Sequence, residues 1–330
     1  MIRLTIIGTL IICIAIAMAT HLLWALCWGI ARCLHHHLRY APWGWTSIGL
    51  IAAVLLMMAY GAWVGRWQLE VTHHDYSHAS VPKAFEGYRI VHISDLHLGT
   101  FEGHPDKLER IVETINQQHP DLICFTGDMV GISVDEALPH LETLRRLQAR
   151  DGICSVLGNH DFFIYSRQYA SKHDKAKALQ RLIEIQTQEL GWRLLRNESM
   201  VIERGDERIT IIGVDNSSCR GQGFHTIHKG DLRRAMRGTE GMRILLSHDP
   251  TQWEAEVLTQ TDIPLTLSGH THAAQIRIGG WTPAKWTFHQ TDGMYTEHGQ
   301  SLYVNIGLGC TAPLRIGAEP EITVLTLHTK

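Results

Sequence analysis

Asp95 and His97, two residues apart and followed by Gly99, end the apolar run Tyr88-Arg89-Ile90-Val91-His92-Ile93. A carboxylate and an imidazole at the C-terminal mouth of a strand can grip a divalent cation, and open α/β sheets place their chemistry at such ends. One such pair is common and usually packs as an ordinary strand end. Here the pattern recurs. Gly127-Asp128 follows the apolar residues 122–126, and Gly158-Asn159-His160-Asp161 follows 153–157. His248 closes the run 243–246, and Gly269-His270-Thr271-His272 closes 265–267. Core packing does not explain five strands that end in oxygen or imidazole donors, most beside a glycine that permits a tight turn. Donors of this kind without thiolate suit manganese, iron, zinc or cobalt better than a soft metal. A carboxylate can bridge two cations, so one aspartate could serve both.

These donors need a scaffold. Residues 107–118, 135–149 and 175–189 space their apolar side chains as helices do, and they alternate with the strands at 90–94, 122–126 and 153–157. Beyond them the pattern predicts a hairpin (199–203 with 208–213) around Gly205-Asp206, a short helix over 231–237 and a helix over 251–258. Further strands are expected at 275–278, 293–298, 302–305 and 322–327. Residues 68–87 read as a connector that contains an edge strand at 68–76. The fold class is therefore α/β. Two facing sheets with helices outside each make a four-layer α-β-β-α sandwich over residues 88–330, in one catalytic domain.

The first 67 residues are different. Residues 4–31 and 40–65 carry no charge, and each run is long enough to span a bilayer, which takes roughly 20 residues. Trp43, Trp45, Trp63 and Trp67 flank the second run as interfacial aromatics do. Ala17-Met18-Ala19 resembles a signal cleavage site, but the apolar run continues through Leu22–Leu26 and a second span follows, so two transmembrane helices are expected. The link that holds His35, His36 and His37 reads as solvated. Arg32 and Arg39 in the link oppose Arg3, Arg66 and Lys83 at the other ends, so the face of the membrane stays open. Residues 1–67 hold four arginines and no acid, which against a total of −3 leaves −7 for the remainder. A binder of nucleic acid would need a basic face, so no nucleic-acid partner is expected. Seven cysteines without a CxxC pair give no disulfide framework, and Cys124 and Cys154 read as buried thiols.

In their order, Asp-x-His, Gly-Asp, Gly-Asn-His-Asp, a lone His and Gly-His-x-His resemble the calcineurin-like metallophosphoesterase family over residues 88–310. Gly307-Leu308-Gly309 and Pro313-Leu314-Arg315 are similar to its membrane-anchored bacterial members. The resemblance implies two divalent ions, manganese foremost, with iron, zinc or cobalt as alternatives. It implies that Asp95, His97 and His272 hold one ion, that Asn159, His248 and His270 hold the other, and that Asp128 bridges them. His160 would act at the phosphate as acid or transition-state stabiliser, with Asp161 orienting it. A second acid, often found shortly after Gly-Asp in the family, is replaced here by Met129-Val130-Gly131. Such an ion pair activates water for in-line attack on phosphorus, while a protonated His160 neutralises the leaving oxygen.

The expected protein is a phosphohydrolase of a bacterial-type inner membrane. Its partners would be the lipid bilayer and a phosphorylated, lipidic substrate. By resemblance that substrate is UDP-2,3-diacylglucosamine, cleaved at its pyrophosphate in lipid A synthesis. The alternatives are a general phosphodiesterase or phosphomonoesterase of the envelope and a non-catalytic metal-binding scaffold, which should have lost donors. Other residues have blander readings. His92 belongs to the core, His104 to a helix start, and His289 and His298 to the surface. Arg167, Lys172, Lys175, Lys177 and Arg181 form a solvated face, and Arg220 lies on a Gly-rich loop. Trp281 and Trp286 are expected to pack within their loop rather than face a membrane or acyl chain.

Overall fold

Residues 2–330 are described by a computed structural model. Two helices come first, α1 (Ile2–Cys33) and α2 (Ala41–Trp63), 32 and 23 residues long. At 1.5 Å per residue both exceed the roughly 30 Å of a bilayer's hydrocarbon. Pro42 sits in the first turn of α2, where its missing N–H costs nothing.

The chain then enters a sheet at once. β1 (Glu70–His78) is an edge strand that ends far into the region read as a connector. β2 (Arg89–Ile93), α3 (Pro105–Gln117), β3 (Leu122–Phe125), α4 (Leu141–Leu144), β4 (Ile153–Ser155), α5 (Lys172–Glu184) and β5 (Arg193–Leu194) alternate as the sequence implies. The second half holds β6 (Glu198–Arg204), β7 (Glu207–Gly213), α6 (Leu232–Ala235), β8 (Met242–Leu246), α7 (Leu258–Gln260), β9 (Leu265–Ser268), β10 (Gly293–Glu297), β11 (Gln300–Val304) and β12 (Glu321–Thr329).

Two six-stranded sheets result, ordered β1-β12-β2-β3-β4-β5 and β10-β11-β9-β8-β7-β6. The central strands are parallel, and the pairs β12–β2, β6–β7 and β10–β11 are antiparallel. The strand period sorts side chains into layers. Ile90, Leu122 and Cys124 face Ile211, Ile244, Leu246 and Leu267 between the sheets. Val91, Ile93, Ile123 and Phe125 turn the other way, onto α3 and α5. Ile212 and Leu245 do the same on the far side, against Leu232, Trp253 and Val257. The four layers are thus α-β-β-α.

Four expected elements differ. Residues 134–140 form a 3-10 turn before the short α4, because Pro139 has no N–H for a continuous helix. Residues 253–257 and 185–189 are π turns rather than regular helix. Residues 275–278 are not a strand. His272, Ala273, Ala274 and Gln275 all have left-handed backbone, with φ of 48–60°, and only single bridges, Ile276–Ile316 and Ile278–Trp281, follow.

Candidate metal centre

The ends of β2, β3, β4, β8 and β9 meet at one edge of the sandwich. Asp95 and His97 leave β2, Asp128 follows β3, Asn159 and His160 follow β4, His248 follows β8, and His270 and His272 follow β9. The turns are tight enough to force unusual backbone. Asp95, His97, Asp128, His270 and His272 all lie in the left-handed region, with φ between 39° and 74°. Non-glycine residues persist there only where the surroundings over-determine them, at a cost of about 1–3 kcal/mol each. Gly158 and Gly269 let the donor loops close. A Cβ on Gly158 would lie 2.2 Å from Asp128 Oδ1, and one on Gly269 would lie 2.4 Å from Asp95 Oδ2.

The donors fall into two groups that share Asp128. In the first, Asp95 Oδ1 lies 3.2 Å from His272 Nε2 and 3.8 Å from His97 Nε2, and the two Nε2 atoms are 3.2 Å apart. In the second, Asn159 Oδ1 lies 3.0 Å from His248 Nε2 and 2.8 Å from His270 Nδ1, and those nitrogens are 3.2 Å apart. Asp128 Oδ2 is 3.7 Å from His97 Nε2 and 3.2 Å from His248 Nε2. Adjacent donors about 2.1 Å from an ion lie about 3.0–3.4 Å apart; five of the eight separations fall in that range and the others, at 2.8, 3.7 and 3.8 Å, lie within 0.4 Å of it, which suits a cation in each group.

The hydrogen bonding makes the same case. His248 Nδ1 is 2.7 Å from the Thr126 carbonyl, which can only accept. His270 Nε2 is 2.9 Å from Gln222 Oε1, whose amide is fixed by its Nε2 donating to Asp249. The outer nitrogens therefore carry ring protons, and the inner nitrogens face each other and an amide oxygen, where only a shared proton or a cation relieves them. Asp95 Oδ1 is buried with no hydrogen-bond donor. Such groups repel one another without a positive charge between them. Burial works against ionised Asp95, yet the His272 and His248 imidazoles outweigh it and hold its carboxyl well below the usual range. Burial also opposes a charged His248, but Asp128 and Asp95 raise its pKa to about 10. A metal ion would meet the same demand.

His160 is held next to this centre. Its backbone N–H donates to Asp128 Oδ1 at 2.8 Å, and its Nδ1 donates to the Gly131 carbonyl at 2.7 Å. Its ring lies 4.8 Å from that of His97 and 4.7 Å from that of Tyr165. Asp161 does not orient it. The buried Asp161 carboxylate accepts the backbone N–H groups of Asp128, Met129, Val130 and Gly158 at 2.8–3.3 Å, so it has no free oxygen for an imidazole. It fixes the loop that presents Asp128. Burial and the charge of Asp128 raise the Asp161 pKa, and the backbone N–H groups that it accepts oppose them by favouring its ionised form.

Other residues act here to which the sequence alone assigns no role at the site. Glu136 takes the N–H groups of Gly131, Ile132 and Ser133 at 2.6–3.1 Å, which positions the acceptor of His160. Its sequence signal was the capping box Ser133-x-x-Glu136. Asp249 and Gln222 hold the outer face of His270, and nothing in the Gly-rich run around Gln222 pointed there. Arg315 is fully buried; its Nη2 donates to the carbonyls of Ile306, Gly307 and Gly309 and lies 3.3 Å from His272 Nδ1.

The remaining candidates stay outside. His92 is buried, with Nε2 2.9 Å from Thr126 Oγ1. His104 caps α3 against Trp67. Arg167, Lys172 and Lys177 are exposed, Lys175 reaches the Ile164 carbonyl, and Arg181 pairs with Glu189. His298 is exposed, and Arg220 contacts His289, which pairs with Glu254. Trp281 and Trp286 do not pack into the loop as expected: they touch each other and remain exposed. All seven cysteines are free.

A family model described as Calcineurin-like phosphoesterase matches residues 88–274. The chain belongs to this family. It is a metal-dependent hydrolase of phosphoesters. It is 32% identical over 295 residues to a Bacillus subtilis protein called an uncharacterized metallophosphoesterase, YkuE, with 85% of this chain and 94% of that one covered. It is 30% identical over 258 residues to a Danio rerio transmembrane protein with metallophosphoesterase domain. That match covers 75% of this chain and 54% of the zebrafish protein, so the chain spans about half of that relative. A second Bacillus subtilis metallophosphoesterase, YkoQ, is 28% identical over 249 residues, with 71% of this chain and 81% of that one covered.

Proposed function

We propose that the chain is a membrane-anchored, dinuclear phosphohydrolase acting on a phosphoester or pyrophosphate carried by a lipid. The observation that carries this reading is one continuous construction. The donor cluster is braced by Arg315, and the backbone N–H of Arg315 donates to the Gly61 carbonyl of α2 at 3.0 Å. The apolar helix is thus built into the domain that holds the site, which would keep the site at a bilayer surface.

Asp95, His97 and His272 would hold one ion, and Asn159, His248 and His270 the other, with Asp128 between them. Bound there, two divalent ions supply Lewis acidity to a phosphoryl oxygen and to the attacking water. His160 is placed to contact the phosphate and neutralise charge on the leaving oxygen, since its Nδ1 is spent on Gly131 and Nε2 remains. Asp161 and Glu136 keep the two loops in register. Manganese suits the oxygen and imidazole donors. The specific substrate we favour, from resemblance to membrane-anchored members, is UDP-2,3-diacylglucosamine, with the domain on the cytoplasmic face of a bacterial inner membrane.

Hydrolysis of a chromogenic phosphodiester with added manganese, compared with His160→Ala and Asp128→Asn, tests the catalytic reading; equal rates in all three would remove it. Incubation with the nucleotide-linked lipid tests the substrate. UMP should appear, and its absence from a preparation active on the chromogenic ester would reject that substrate.

A further inference from the structure

The segment from Ile276 to Thr291 contains no acid; of its two cations, Arg277 pairs with Asp292 at 3.2 Å and with Glu70 and Glu319 at 3.8 and 4.0 Å, and Lys285 is exposed beside the tip, donating to the Gly280 carbonyl. The segment starts where the second His pair of the centre ends. Ile276 bridges to Ile316, and a Cβ on Gly61 of α2 would lie 2.7 Å from the Ile316 side chain. A tight hairpin follows: Ile278 and Trp281 exchange backbone hydrogen bonds across Gly279 and Gly280. The tip is three or four residues beyond Ile276, at most about 14 Å away at strand rise. The hairpin is thus tied through Ile316 to the last turns of α2, where Trp63 is 76% exposed.

The hairpin is apolar where it is open. Ile278, Trp281 and Trp286 are 55%, 43% and 79% exposed, and the two indoles meet edge to face at 5.4 Å. The segment is not loose. Thr282 donates to the Ala273 carbonyl, Pro283 opens a 3-10 turn, and Phe288 is buried with its ring 5.5 Å from that of His270. Exposed indoles with a neighbouring lysine, held rigidly near a helix end, match the interfacial zone of a bilayer, where Trp rings and Lys settle together.

We propose that residues 278–286 are a third membrane contact, seated in the headgroup region of an anionic lipid surface next to α2. From that contact the chain reaches Phe288, whose ring meets that of His270. The donor cluster is then approached from the lipid side. This extends the membrane-anchored reading above, but its test does not use catalysis.

The full-length protein is placed in phospholipid nanodiscs containing anionic lipid. The photoreactive residue p-benzoylphenylalanine replaces Trp281 or Trp286 in turn, with Trp63 as the positive site and the exposed Val201 of edge strand β6 as the negative one. After irradiation, lipid adducts are read by mass spectrometry. Adducts at 281 and 286 at a level near that of 63, and at least tenfold above that of 201, are expected. Adducts at 63 but none at 281 or 286 would overturn the proposal. So would cross-links from 281 or 286 to a second copy or another protein in place of lipid. A failure of the catalytic reading would leave this result untouched.

Discussion

Replacing Asp161 by asparagine separates two roles for this residue. Its Oδ2 accepts the N–H groups of Asp128 and Gly158 at 2.8 and 2.9 Å, and its Oδ1 accepts those of Met129 and Val130 at 2.9 and 3.3 Å. An amide can satisfy one pair only; its NH2 would face the other two donors. The variant loses two hydrogen bonds to a charged group, about 1.5–3 kcal/mol each, or about 3–6 kcal/mol together. For a domain of this size each kcal/mol moves Tm by about 2–4 °C, so Asp161→Asn should lower it by roughly 6–24 °C. Thermal unfolding of the detergent-solubilised protein with excess manganese measures this. Activity should fall along with metal retention, because the loop that presents Asp128 loosens. If Asp161 instead oriented His160, the pH–rate profile would shift while Tm stayed put. A Tm within about 2 °C of the parent would refute the reasoning.

Three further outcomes are expected. His160→Ala should lower kcat on a chromogenic diester by about 10²–10⁴, with bound metal, measured by elemental analysis, unchanged. Gly65→Ala would put a Cβ 2.1 Å from the Arg315 carbonyl oxygen, whereas Gly29→Ala meets nothing within 4 Å. The first should cost about 1–3 kcal/mol in thermal unfolding and the second close to nothing. Cys154 is buried, which pushes its thiol up to about 12 and leaves little thiolate at pH 8. Iodoacetamide should leave Cys154 unmodified in the folded protein and label it in denaturant, as peptide mapping would show.

The donor set could be read from the sequence because two local signals coincide in it. Period-two apolar runs mark the strands, and polar donors beside glycine mark their ends. That was enough to draw Asp95 and His270 into one site from opposite ends of the domain. Roles that depend on neighbouring strand ends were hidden. Asp161 follows His160 in the chain, so it looked like its partner; in space it sits under the β3 loop and meets four amides. The left-handed backbone of His272–Gln275 carries no sequence mark, since alanine gives no hint of positive φ, and the strand expected at 275–278 was lost to it. Pro139 did signal a break, but the stripe of Leu138, Leu141 and Leu144 masked it. The placement of β1 against β12, from Glu70↔Glu321 to His78↔Thr329, depends on partners 251 residues apart that no local pattern reveals.

Anomalous diffraction from crystals grown with manganese tests the central claim most directly. Two peaks are predicted, one among Asp95, His97 and His272 and one among Asn159, His248 and His270, with Asp128 reaching both. A map with no peak at those side chains, or with one ion bound elsewhere, would contradict the account.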